Sequence, residues 1–600
     1  MCSILGYYNT KQSFQDIEKL NMTMLHRGPN NQTVKKYRFK HRELFLAHNR
    51  LAIQDLDSKA NQPMESQRFI IVFNGEIYNH LELRDRCKNQ FWLTHSDTET
   101  LLALFENFSI EDTLSMLIGM FAIGLFDKIE HKLYLIRDRV GIKPLYWTHQ
   151  NGEFAFASEL KGFAPHLKNQ VSNRALIEFM SFGYTSASNS YYENIYKLEA
   201  GYYLIFDGNK IYKSRYWHLP KDKIDITYQE AINESERLIR SSIKYRLLSD
   251  VEVGSFLSGG VDSSLVSSLM QQSTDRTIKT FTIGFEDKRY NEAKFAKEVA
   301  NHIGSRHYEY IFTVKDVMSL IDSMDRYYDE PFGDASALPT MLLSKFTKEK
   351  VTVALSGDGG DELFLGYDRY FFTHKYFNIL KKIPKLLRDL LSFICSKSNI
   401  DRLEKMAYPI KYLSEENLYS VISTYIKPWN MNKIFHQDFI EESFQKSSYL
   451  EFQKIVDFNQ IDIFDNYSKI DFYRYLPDDI LTKVDRASMR YSLEARVPLL
   501  DHRLVEFAYS LPTEIKLQKG AKSILKDIVY KQIPREIIDR PKMGFAVPLK
   551  SWFRGEMKEM VEDKIASLDN RFNKEYLRWL FKEHQKGKNF EYIFWNLMRL

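Results

Sequence analysis

A chain of 600 residues, 44% apolar and 27% charged, exceeds one hydrophobic core and divides into about two to four domains. Its 84 lysines and arginines against 79 aspartates and glutamates leave a net charge of +5, too weak a balance to point to nucleic acid. Three widely spaced cysteines, Cys2, Cys87 and Cys395, exclude a disulfide scaffold and a cysteine-rich zinc site, and the lack of a secretory leader or a membrane-length apolar run points to the cytoplasm.

Cys2 becomes the first residue once Met1 is removed, so its thiol and its own α-amine share one residue. An amine titrating near ~7.7–8 can take the proton of a thiol near ~8.5 without a separate histidine. A lone cysteine at position two is as easily accidental, and the following motifs decide the matter. His26-Arg27-Gly28-Pro29 is a tight polar turn, and His48-Asn49-Arg50-Leu51-Ala52-Ile53 places an arginine at the end of an apolar strand. Asn74-Gly75-Glu76 follows the strand Phe69 to Phe73 with the look of a turn, and Ser96-Asp97-Thr98-Glu99 opens a helix with a capping-box pattern. Further strands are predicted at Met120 to Phe126, Lys132 to Ile136 and Phe154 to Phe156, and the domain closes near Tyr216-Trp217.

Cys2 with these motifs, in this order, resembles the glutaminase domain of class II glutamine amidotransferases. The resemblance implies an αββα Ntn-hydrolase sandwich over residues 1–217. By it, Cys2 is the nucleophile, Asn74 and the Gly75 N–H form the oxyanion hole, and Arg50 holds the glutamine α-carboxylate. Glu76 and Asp97 take the α-ammonium, with Leu51 and Ile53 lining the site. Asn30 departs from the aspartate usual after His-Arg-Gly-Pro, at a position with no catalytic role.

Residues 218–226 read as a polar linker, and Thr227-Tyr228-Gln229-Glu230 is a capping box that starts a second domain over 227–600. Val251 to Phe256 alternates as a strand and breaks into Leu257-Ser258-Gly259-Gly260-Val261-Asp262-Ser263-Ser264 before an amphipathic run. A strand, glycine-hydroxyl loop and helix leave backbone N–H groups facing an anion. There is no Walker lysine, and the loop resembles that of the ATP-pyrophosphatase, or adenine-nucleotide alpha-hydrolase-like, proteins, which release AMP and pyrophosphate. Strands Thr280 to Phe285 and Val351 to Leu355 follow, the second running into Ser356-Gly357-Asp358-Gly359-Gly360-Asp361-Glu362, so a parallel sheet is expected with its site at the strands' carboxyl ends. Asp262 and Asp361 are then the candidate ligands of Mg²⁺ on the ATP phosphates.

With Tyr475 to Met489 and Ser492 to Pro498 added, the whole chain resembles the glutamine-dependent asparagine synthetase family. That resemblance implies nucleotide contacts from Leu257, Ile283, Ser356 and Gly357, a role for Asp358 in acyl-adenylate formation, and pyrophosphate contacts from Lys483, Arg486 and Lys522. It implies glutamine, ATP, Mg²⁺ and a carboxylate acceptor, aspartate first and a uronic acid of bacterial surface polysaccharide as the alternative; a homodimer is compatible with it. An insert over 371–407 sets Ile379, Leu380, Ile383, Leu386, Leu387, Leu390 and Leu391 against Lys381, Lys382, Lys385 and Arg388. Such a stripe is expected to pack on its own domain with its charges in water, an anionic membrane or a partner being the less favoured reading.

Overall fold

The computed structural model describes residues 2–600 except 40–41, 88–89, 187, 287–290, 398–400, 427, 445–454, 457–461 and 541–546. Met1, whose removal would free the Cys2 amine, lies outside the described residues.

The first half is built from two six-stranded sheets laid face to face. One runs Ile195–Lys197, Tyr146–Gln150, Glu153–Ala157, Ser3–Tyr8, Arg42–Arg50, Asn31–Phe39, and the other Ile211–Arg215, Tyr202–Phe206, Lys132–Arg137, Gly119–Asp127, Phe69–Ile77, Met64–Glu65. The two-residue side-chain period divides each central strand between two layers. Ile4, Ile70 and Val72 face the opposite sheet, whereas Leu5 and Tyr7 pack with Ile17 under helix Phe14–Met22, and Phe69, Ile71 and Phe73 pack with Leu101 and Phe105 under helix Asp97–Asn107. The result is the expected αββα sandwich.

Two local expectations change. Asn74-Gly75 makes no turn, because strand Phe69–Ile77 continues through it and pairs Asn74 with Ala122 and Gly75 with Phe121. The capping box at Ser96 is half formed: Ser96 Oγ accepts from Thr98 N, but Glu99 turns back to Leu93 N and Thr94 N at 2.9 and 2.8 Å. At Thr227 the box is complete and starts helix Tyr228–Arg246.

The second half is organised on a parallel five-stranded sheet ordered Arg306–Phe312, Lys279–Phe285, Val253–Phe256, Val353–Leu355, Glu494–Arg496. Strand order reverses at Val253–Phe256, which is where an open parallel sheet leaves a crevice above its carboxyl ends. Residues 218–226 form no helix or strand and are held down, Leu219 N donating to Tyr473 Oη at 3.1 Å and Lys223 Nζ to Asp465 at 2.8 Å. The chain is therefore α/β, an αββα sandwich followed by a parallel-sheet domain.

The basic insert departs from its expectation in its second helix, although Leu380 of the first is buried as expected. It forms helices Asp368–Leu380, Lys385–Ser396 and Asp401–Lys411, with residues 398–400 outside the description. Helix Lys385–Ser396 packs through its small polar edge, where buried Ser392 donates to Ala407 O at 2.6 Å, and so turns its leucines outward. Leu386 is 84% exposed and Leu387, Leu390, Phe393 and Ile394 are each more than half exposed. Among the described residues no helix is long and apolar enough to cross a membrane.

Candidate active sites

A cleft of about 330 Å³ opens at the end of strand Ser3–Tyr8, lined by Cys2, Arg50, Leu51, Ile53, Gln54, Gln62, Gly75, Glu76, Asp97 and neighbours. All the glutamine-site residues expected from the sequence reach this one cleft or its rim. Two features bring them together: Cys2 directly precedes strand Ser3–Tyr8, which pairs with Arg42–Arg50, and Phe69–Ile77 carries Asn74, Gly75 and Glu76 in the facing sheet.

Asn74 Oδ1 accepts from the Cys2 backbone N at 2.9 Å. Its Nδ2 is buried and finds no acceptor among the described residues, a donor left pointing for something that is not protein. Gly75 is fixed by strand spacing, since a Cβ there would sit inside the Met120 carbonyl oxygen of the paired strand. Arg50 is pinned from behind, Nη1 donating to Asp57 O at 2.7 Å and Asn61 Oδ1 at 2.8 Å and Nη2 to Asp55 O. Such bracing holds a guanidinium in one orientation before any carboxylate arrives.

Burial governs the titration of the cleft. It raises the Cys2 thiol and lifts Glu76 well above the usual carboxylate range, with Glu494 adding to the rise at Glu76. Asp97 is pushed up to about 6 by burial, against the hydrogen bonds it accepts from Ile77 N and Thr98 N. His48 is held down to about 3 by burial, so it is a neutral packing residue, its Nε2 3.2 Å from Phe73 O, and not the base of Cys2. Asn30 Oδ1 accepts from Ala52 N at 3.0 Å, steadying the loop of Leu51 and Ile53, a task that needs only an oxygen and so tolerates the departure from aspartate.

The second site lies at the carboxyl end of Val253–Phe256. Gly260 caps helix Val261–Gln272 without a side chain, Gly259 takes φ +77°, and Ser258 Oγ and Ser263 Oγ bond across the loop at 2.9 Å. The loop after Val353–Leu355 closes on it: a Cβ on Gly357 would lie 2.8 Å from Ser263 N, and one on Gly360 2.5 Å from Asp262 Oδ1. Leu257 and Ser264 flank this contact, and Ile283 is buried in the adjoining strand. Lys522 inserts its Nζ between the two candidate metal carboxylates, bonding Asp262 and lying 2.7 Å from Asp361 Oδ1. Both anions consequently hold Lys522 well above its usual range. Two carboxylates converging on one cationic atom beneath an anion loop fit Mg²⁺, which takes few carboxylates plus phosphate oxygens.

Asp358 accepts from Ser356 Oγ at 2.5 Å and is raised by burial. Lys483 Nζ pairs with Asp334 at 2.9 Å and Ser336 Oγ at 3.0 Å, beside Asp479, which burial and then Asp334 raise strongly. Arg486 is not brought to the phosphate loop. Its guanidinium is buried against Glu159 of the first half at 2.7 Å, because helix Thr482–Met489 runs along the boundary between the halves.

That boundary is a cluster of buried charge. Arg27 donates to Asp485 at 2.7 and 3.0 Å, to Glu159 at 2.8 Å, and through Nε to Cys2 O at 3.0 Å. Arg27 therefore ties the nucleophile's carbonyl to the synthetase half. Sequence reasoning placed Arg27 in the His-Arg-Gly-Pro motif without assigning it a partner, and it missed Arg540, which donates to Ser258 O at 3.0 Å. The bond to Asp485, 458 positions on, is not legible from the motif.

Residues 234–600 match the family model described as asparagine synthase, and residues 1–217 match that of a glutamine amidotransferase domain. The chain is 31% identical to the Bacillus subtilis protein named glutamine-hydrolyzing asparagine synthetase 1, over 98% of this chain and 94% of that one. It is 35% identical to a Methanocaldococcus jannaschii relative, over 82% of this chain and 98% of the relative.

Proposed function

The chain belongs to the glutamine-hydrolysing asparagine synthetase family, a family of ligases, and from that premise we propose that it amidates aspartate with glutamine-derived ammonia at the expense of ATP. The observation that carries the first half-reaction is the orphaned Asn74 Nδ2 one residue contact away from Cys2. In the processed chain the Cys2 amine takes the thiol proton, and the thiolate attacks the glutamine carboxamide carbon. Asn74 Nδ2 and Gly75 N–H stabilise the resulting oxyanion. The C–N bond breaks, the leaving nitrogen takes the proton and departs as NH₃, and water then cleaves the thioester to glutamate. Arg50 grips the α-carboxylate of the substrate, and Asp97 with Glu76 its α-ammonium.

In the second half-reaction the acceptor carboxylate attacks the α-phosphorus of ATP, pyrophosphate leaves, and NH₃ displaces AMP from the acyl-adenylate. Adenylation is needed because a bare carboxylate is a poor electrophile. Asp262 and Asp361 would hold Mg²⁺, which supplies neutralisation of the β and γ phosphates. Ser258, Gly259, Gly260 and Ser263 cradle the pyrophosphate through backbone and hydroxyl donors, and Lys522 and Lys483 face it with positive charge. Asp358, which accepts from Ser356 Oγ, follows the carboxyl end of Val353–Leu355 in the same crevice. Asp334, kept ionised by Lys483 at 2.9 Å against the cost of its burial, offers an anion for an α-ammonium, which supports aspartate over a uronic acid.

The test supplies purified protein with glutamine, ATP and Mg²⁺ and either aspartate or a nucleotide-linked uronic acid. Pyrophosphate release driven by aspartate, with succinate rejected, is expected. Release driven by the uronic acid alone would overturn the acceptor and leave both half-reactions standing. Cys2→Ala should abolish the glutamine-driven reaction and retain the ammonium-driven one.

A further inference from the structure

We propose that the outward face of helix Lys385–Ser396 is a docking surface for an anionic lipid bilayer. The helix is amphipathic in the inverse sense for a globular protein. Its small polar edge, with Ser392, is buried against helix Asp401–Lys411, while Leu386, Leu387, Leu390, Leu391, Phe393 and Ile394 lie on one contiguous outward arc. An exposed apolar patch of this kind on an otherwise ordinary surface marks a contact site.

The surrounding charge selects the occupant. Residues 371–397 hold six basic side chains, Lys375, Lys381, Lys382, Lys385, Arg388 and Lys397, against a single acid, Asp389. The five lysines are all exposed, with three just before or at the start of the helix and Lys397 just past its end. A second copy laid on the same face would set lysines against lysines in either orientation, because both ends of the helix are basic. An anionic headgroup layer accepts the lysines while the leucines and phenylalanine enter the acyl boundary, the arrangement of an interfacial helix lying in the membrane plane. Each basic residue at such a surface strengthens partition about fivefold, and the gain fades as salt shortens the screening length.

The experiment is co-sedimentation of the full-length protein with vesicles of phosphatidylcholine alone or mixed with phosphatidylglycerol. Binding to the anionic vesicles alone is expected, reversed at about 0.5 M salt. Lys381→Glu/Lys382→Glu/Lys385→Glu should weaken it by about a hundredfold or more. Leu386→Ser/Leu390→Ser/Ile394→Ser should abolish it while leaving glutamine hydrolysis and the melting temperature unchanged, since all three side chains are exposed. No binding to anionic vesicles, equal binding to neutral ones, or binding indifferent to both variants would overturn the proposal. So would a wild-type dimer in sedimentation velocity that the leucine variant converts to monomer, which would assign the face to a second copy.

Discussion

Asn74 offers the sharpest test of the glutaminase chemistry, because its two side-chain atoms have different tasks. Oδ1 accepts from Cys2 N, and Nδ2 has no acceptor in the resting protein. Asn74→Ala removes both. Loss of the 2.9 Å hydrogen bond costs about 1 kcal/mol, whereas deleting a buried unpaired donor relieves about 1–3 kcal/mol of desolvation, so folding stability should move little. In the transition state the same donor meets an oxyanion, and its loss should lower kcat by about 10²–10³, or roughly 3–4 kcal/mol. The assay is glutamate release from glutamine without ATP, alongside the melting temperature and ammonium-driven pyrophosphate release. A fall in kcat below about tenfold, or parallel losses of all three readouts, would refute the assignment of Nδ2 as an oxyanion donor.

Asp97, raised to about 6, should lose its charge as pH falls through that value, so the KM for glutamine should rise by about tenfold per pH unit below it while kcat holds. Because the folded protein binds that proton more tightly than the unfolded chain, Asp97 contributes most stability below about pH 4 and loses it as pH rises through about 6; Asp97→Asn should flatten both trends, as read by kinetics and by urea unfolding. Lys522→Ala should suppress AMP and pyrophosphate formation while glutamine hydrolysis continues, and loss of both would sever Lys522 from the nucleotide site. Arg27→Ala leaves Asp485 and Glu159 buried without their shared cation and should cost about 3–5 kcal/mol in urea unfolding, together with lower glutamine hydrolysis. A loss under about 1 kcal/mol would show that the pair is not coupled to folding.

Strands in each of the three sheets, among them Phe154 to Phe156, Phe69 to Phe73, Met120 to Phe126 and Thr280 to Phe285, were legible because alternation and glycine-rich breaks are local signals, as was the phosphate loop; the αββα layering came from the family resemblance, and Asn31–Phe39 and Arg306–Phe312 were not read as strands. Asn74-Gly75 misled because Asn-Gly is a turn signal, and only the Met120 carbonyl across the strand pair explains the glycine inside Phe69–Ile77. Arg486 sits three residues from Lys483, yet the helix bearing both borders two environments, and pairing with Glu159 wins. The insert was misjudged because hydrophobic periodicity shows that a stripe exists without saying which edge of the helix meets the rest of the protein. Arg27 and Arg540 acquire meaning only from Asp485 and Ser258, and no spacing along the chain announces such pairings.

The Arg27 clasp bears on how such a chain can be reassembled. Its guanidinium holds the carbonyl of the nucleophilic residue with one nitrogen and a synthetase carboxylate with the others. A glutaminase grafted from another amidotransferase, even with a perfect cleft, would meet Asp485, Arg486 and Arg496 correctly only if it also carried counterparts of Arg27, Glu159 and Glu76. Recombination between the halves is therefore constrained at this seam more tightly than within either site, and chimaeras should work only when the seam residues travel with the graft.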